Sequence, residues 1–129
     1  MGRNKFDEGM KLRKQVLGAE YVERSMANAD EFSLPMQELS TEYCWGHVWT
    51  RPGLALRDRS LINIAMISAL NRPHELKLHV KAALNNGLTR AEIREVLLQV
   101  AVYCGVPAGI DSVRIAREAF AELDQTKQG

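Results

Sequence analysis

The stretch TRAEIREVLLQVAVYCG, Thr89–Gly105, decides the fold. Thr89 and Glu92 stand three residues apart just ahead of an apolar run, which is the spacing of a capping box that opens a helix. Behind them Ile93, Val96, Leu97, Val100, Ala101 and Cys104 recur at i, i+3, i+4 and i+7, one face of a 3.6-residue period. Gly105 and Pro107 then end the helix. On this pattern Cys104 belongs to buried packing. A second apolar face remains in Leu98, Val102 and Tyr103. A small domain has one core to fill, so a spare apolar face points either to a subunit contact or to a central position.

The same punctuation continues outward in both directions. Gly87 closes a helix over Pro73–Asn86, and Arg72-Pro73 separates that helix from another over Leu56–Leu70. The latter half of Leu56–Leu70, LINIAMISAL, is apolar nearly all round, so it is expected to be buried on several sides. Upstream, Ser33-Leu34-Pro35 offers a capping residue and an early proline to a helix over Met36–Trp49. Pro52-Gly53 breaks the chain after it. Phe6–Leu17 and Ala19–Ala27 are the first two helices, parted by Gly18 in the position after a helix end. Ala108–Leu123 is the last, followed by a polar tail. No stretch alternates at period two. The fold class is all-α, a bundle of about six to seven helices in a single domain over residues 1–129.

Composition narrows the partners. The 129 residues are 46% hydrophobic, enough for a core. Seventeen basic and 16 acidic residues give a net charge of +1, which argues against nucleic acid or an anionic membrane as the main partner. No apolar run reaches membrane-spanning length. The N-terminal MGRNKFDEGMKLRKQ is charged throughout and lacks the apolar region of a secretory leader. Cys44 and Cys104 are far apart and form no CxxC pair, so two free thiols in a cytoplasmic protein are expected, with no metal site.

Chemistry concentrates in NRPHELKLHVKAALNNG, Asn71–Gly87. Glu75 and His79 are four apart, so a helix sets a carboxylate beside an imidazole on one face. A histidine held by a glutamate is one way to build a general acid or base. His79 lies between Leu76 and Ala83 on its face. It is expected to be half-buried, to titrate near physiological pH and to have its protonated form favoured by Glu75. An ordinary surface pair has the same spacing. Arg51 and Arg59 are the candidates for gripping a substrate carboxylate, because a guanidinium offers a bidentate fork. Arg57, Arg72 and Arg90 show that arginine is not scarce. Trp45 and Trp49, at i and i+4, cover one apolar wall, either packing or a substrate surface. His47 projects from another face, as an oxyanion donor or a solvated side chain.

The runs ELKLHVKAALNNGLTRAEIREVLLQVAVYCGVPAG and WGHVWTRPGLALRDRSLINIAM resemble the carboxymuconolactone decarboxylase family. The resemblance covers most of Trp45–Gly109. It implies an AhpD-like all-α fold assembled as a homo-oligomer, a trimer or hexamer. It also implies cofactor-independent decarboxylation of a small carboxylated lactone, 4-carboxymuconolactone in the protocatechuate arm of the β-ketoadipate pathway. The redox branch of the superfamily carries CxxC with a histidine four residues beyond. By that resemblance His79 is the histidine, and the thiol positions fall on Arg72 and Glu75. Neither forms a thiolate, which excludes dithiol peroxidase chemistry. The resemblance leaves His79 as proton donor with Glu75 as its partner, while residue chemistry makes Arg51, Arg59, His47 and Trp45 the candidate substrate-facing set. Two flanks depart from the family pattern. His47 stands where an acidic or small residue is common, and GIDSVRIARE replaces an Asn- and Ala-rich segment. Both departures point to a related lactone or acid as substrate. Two other readings compete: a lactone isomerase or hydratase of the same fold, and a non-catalytic module that binds small acids.

Overall fold

The structure, a computed structural model, describes residues 2–128, with side chains over 4–126. The described residues are helical and include no strand. Chain contacts divide them into two compact units, Met1–Ala55 and Leu56–Gly129.

The first unit holds α1 (Gly2–Leu17), α2 (Ala19–Ala27), α3 (Leu34–Leu39) and a π-wound helix, π1 (Ser40–Trp49). The sequence pattern predicts one helix over 36–49. The chain instead starts at Leu34 and changes winding at Ser40, where hydrogen bonds begin to span five residues rather than four. Such winding is uncommon, and its short forms cluster at functional sites. Ser33 is not the expected cap. Its backbone is already helical and no side-chain cap bond forms. Its hydroxyl accepts from the Asp30 amide while Asp30 Oδ1 accepts from the Ser33 amide, so the pair closes the turn before the helix.

α1 lies along π1 at unusually short range. A Cβ on Gly9 would stand 2.1 Å from the Thr41 carbonyl oxygen, and one on Gly46 would stand 2.1 Å from that of Lys5. Only glycine lets two backbones approach this closely. Val16, Val22, Trp45 and Trp49 fill the interior of this unit. Arg13 is 6% exposed. Its Nη1 donates to Thr41 Oγ1 at 3.1 Å and to Met26 Sδ at 3.7 Å. One buried guanidinium thereby ties α1 to π1 and α2.

The second unit is an aliphatic bundle of α4 (Leu56–Ala69), α5 (Pro73–Asn85), α6 (Arg90–Cys104) and α7 (Val106–Gln128). Its core gathers Ile64, Leu76, Val80, Ile93, Leu97 and Ile115 around small residues such as Ala83 and Ala119. Each large side chain buried there contributes about 1.5–3 kcal/mol of transfer free energy. The capping box of α6 forms as its spacing predicts. Thr89 Oγ1 accepts from the Glu92 amide at 3.0 Å, and Glu92 Oε1 accepts from the Thr89 amide at 2.9 Å. The other Glu92 oxygen takes an ion pair from Arg57 in the first turn of α4.

Two expectations need correction. Cys104 is exposed, not buried. The stripe of α6 keeps Ile93, Leu97 and Val100 in the core, but its last turn leaves the core as the chain swings through Gly105 at φ +111° into α7. α4, expected to be buried on several sides, fully buries one face within the chain. Ile62, Met66 and Leu70 form an exposed stripe, while Ser60, Ile64 and Ser68 face inward. Small serines admit close packing on that side, and Asn86 Nδ2 donates to Ser60 Oγ at 2.9 Å. Both cysteines are free thiols, as expected. No described helix is long and apolar enough to cross a membrane.

Candidate active site

α5 carries the candidate acid–base pair, Glu75 and His79. Arg72, outside helical geometry at the helix entry, and Pro73 in the first turn start it, and Gly87, at φ +102°, follows its end. Leu76, Val80 and Ala83 point into the core, and His79 sits between them at the edge of the buried face. It is half-buried, as its spacing predicts, and Glu75 is exposed one turn earlier.

The electrostatic balance differs from the expected one. Burial disfavours a charged imidazole and lowers the His79 pKa from its ordinary value of 6.5. The Glu75 charge acts the other way, as expected, but it is the smaller effect. The resting protein therefore holds His79 neutral at pH 7. A neutral imidazole at the rim of an apolar face can take a proton when an anion arrives beside it and pass that proton on.

Arg59 lies half-buried in the first turns of α4. Arg57, two residues earlier, is committed to Glu92, and Arg90 pairs with Asp124 at 2.6 Å and stacks over Phe120. These two arginines are structural. Arg72 is exposed and reaches back to the Leu70 carbonyl at 3.4 Å.

The first unit carries the other candidates. Trp45 and Trp49 are 4% and 5% exposed and stack with ring centroids 4.6 Å apart, so packing accounts for both. His47 is exposed on the opposite side of π1. Its ring lies parallel to that of Tyr43, centroids 5.1 Å apart and planes 17° apart. Arg51 is exposed in the loop after π1, its amide bonded to the Val48 carbonyl at 3.0 Å. Tyr43 is the residue that sequence reasoning passed over, although its i, i+4 relation to His47 was visible.

A groove of about 740 Å³ between α6 and α7 holds none of these candidates. Leu97, Leu98, Ala101, Ile110 and Val113 line it, with Arg114 and Arg117 at the rim. Its chemistry is that of an unpartnered apolar face rather than a site for a polar acid.

Comparison with known proteins supplies the reaction type. A family model described as "Carboxymuconolactone decarboxylase family" matches residues 35–118. The chain is 47% identical over 121 residues to nitrosuccinic acid decarboxylase npaB of Metarhizium robertsii, covering 94% of this chain and 85% of that one. It is 39% identical over 119 residues to 4-carboxymuconolactone decarboxylase of Acinetobacter baylyi, covering 92% and 89%.

Proposed function

The chain belongs to the carboxymuconolactone decarboxylase family and is a carboxy-lyase, and on that premise we propose that it removes CO₂ without a cofactor from a small carboxylated lactone, 4-carboxymuconolactone or a close relative, in aromatic-acid catabolism. The observation that carries this reading is the half-buried His79 with Glu75 one turn away on α5.

The substrate can do without a cofactor because it is its own electron sink. In 4-carboxymuconolactone the departing carboxylate sits on the ring carbon next to the lactone oxygen. A ring double bond connects that carbon to the lactone carbonyl. The electron pair left by CO₂ flows through it to the carbonyl oxygen and gives a furan-like dienolate. Protonation at the carbon alpha to the carbonyl then yields the enol-lactone. The protein must hold the retained carboxylate, strip water from the leaving one, stabilise the oxyanion and deliver one proton.

His79 delivers the proton. Neutral at rest, it gains proton affinity when the carboxylates of the substrate approach, takes up a proton, and gives it to the dienolate carbon as CO₂ leaves. Glu75 supports the transient imidazolium. By residue chemistry alone, Arg59 on the second unit and Arg51 on the first are the proposed carboxylate grips, each with a guanidinium fork. His47 donates to the developing oxyanion. Trp45 acts by packing behind π1. The exposed stripes Ile62/Met66/Leu70 and Leu98/Val102, together with the α6–α7 groove, support assembly into a homo-oligomer, a trimer or hexamer.

The 47% relative favours a second substrate of the same logic. In nitrosuccinic acid a carboxylate sits on the carbon that bears the nitro group. Loss of CO₂ places the electron pair on the nitro oxygens as a nitronate, and protonation of that same carbon completes the turnover. The demands on the protein are the same: a retained carboxylate, an oxygen-terminated sink and one proton. Incubating the purified protein with each acid in turn, with no added cofactor, tests both. Equimolar CO₂ release and loss of 4-carboxymuconolactone are expected. CO₂ from nitrosuccinic acid alone would move the assignment to nitro acids. Loss of lactone without CO₂ would replace decarboxylation by isomerisation or hydration.

A further inference from the structure

π1 sorts its side chains onto two sides. Thr41, Trp45, Gly46 and Trp49 face the interior of the first unit, and Tyr43, Cys44, His47 and Val48 face out. The inner side is fixed by the close approach of Gly46 to α1, by the Trp45–Trp49 stack and by the Arg13–Thr41 bond. The backbone that carries His47 is therefore held firmly. The His47 ring is not held in the same way. Its ring contact among the described residues is the parallel stack on Tyr43. An exposed imidazole on a fixed backbone still rotates about its two side-chain torsions. A flat ring 5.1 Å away at 17° favours one ring orientation over the others.

We propose that Tyr43 is the positioning residue of His47: its ring, not its hydroxyl, presents the imidazole in the orientation that the oxyanion role requires. The inference rests on the reading that His47 donates to the oxyanion, and it adds a residue that neither the sequence pattern nor the Glu75–His79 pair points to. The winding contributes to the stack. π1 turns through more residues per turn than an α-helix, so side chains at i and i+4 lie nearly above one another, and the same helix stacks two such pairs, Tyr43–His47 and Trp45–Trp49. Orientation matters because a donor turned away from the developing charge gives the transition state little.

The test compares Tyr43→Leu, Tyr43→Phe, His47→Gln and the double variant Tyr43→Leu/His47→Gln, each assayed for CO₂ release from the acid that the unsubstituted protein turns over. Tyr43→Leu is expected to lower kcat about tenfold with little change in KM, because the donor is misaimed while binding is kept. Tyr43→Phe, which keeps the ring, restores the turnover. The double variant is no slower than His47→Gln, because a residue that acts through another adds nothing once that other is gone. A Tyr43→Phe protein as slow as Tyr43→Leu would overturn the proposal, since the hydroxyl would then matter. So would losses that multiply in the double variant. A second readout needs no turnover: the ring-proton NMR shifts of His47. Stacking moves them upfield in the unsubstituted protein and in Tyr43→Phe, and the shift disappears in Tyr43→Leu. If neither acid is turned over, the substrate assignment fails and these shifts alone decide the positioning claim. Unshifted His47 ring protons in the unsubstituted protein would end it.

Discussion

The interiors of the two units are built by different means. The second is an aliphatic bundle in which Ile64, Leu76, Val80, Ile93 and Leu97 interlock. The first relies on a backbone crossing at Gly9 and Gly46, a pair of stacked tryptophans and a buried arginine. A core of branched side chains tolerates change in proportion to the volume removed. At a glycine crossing an added methyl group fits only if a backbone moves. The candidate proton-handling pair, Glu75 and His79, stands on the forgiving scaffold, and the exposed aromatic pair stands on the unforgiving one.

Truncation in the second unit should have the largest effect on stability. Leu97→Ala is expected to cost about 3 kcal/mol, read from denaturant unfolding followed by helical circular dichroism. A loss under about 1 kcal/mol would mean that the aliphatic core is not where the stability of this unit resides. The matching insertion in the first unit is Gly46→Ala. One methyl group against the Lys5 carbonyl is expected to cost about 2 kcal/mol and to raise amide hydrogen exchange in α1 and π1. Unchanged exchange there would show that the crossing is looser than 2.1 Å implies.

Most of the second unit was legible in the sequence, because its determinants repeat. The capping box of Thr89 and Glu92, the Ile93–Val100 stripe and Gly87 are local signals with a period or a position. The half-burial of His79 followed from the same period. The parts that were not legible have nonlocal causes. Cys104 fits the stripe perfectly, yet the core ends one turn before it. α4 is apolar nearly all round, and nothing in its pattern says that Ser60 and Ser68 rather than Ile62 and Met66 face inward. In the first unit, Gly9 and Gly46 carry no signal until it is known which backbones cross. The switch to π winding at Ser40 has no periodic signature either. The low proton affinity of His79 depends on how much apolar surface surrounds it, and the i, i+4 relation to Glu75 cannot supply that quantity.

Smaller effects sharpen the contrast. Thr89→Ala removes half of the capping box and is expected to cost about 1 kcal/mol, with the loss confined to the start of α6. A variant as stable as the parent would mean that Arg57 and Glu92 hold that turn without the cap. His79 gives the smallest and most specific signature, in the pH dependence of stability. Its pKa is lower in the folded chain than the ordinary 6.5. The unfolded chain therefore binds the proton first as pH falls, and stability drops between 6.5 and the folded value. His79→Leu should flatten that part of the stability profile while leaving the neutral-pH region nearly unchanged. An identical acid slope in both proteins would mean that His79 is solvated.

His79 is the group proposed to hand a proton to the substrate carbon. The most direct test is kcat for CO₂ release by His79→Gln, with helical content measured on the same sample. A fall of about 100-fold or more in a fully folded variant, with KM little changed, is the predicted result. Turnover within a few fold of the parent would contradict it and move the chemistry away from α5.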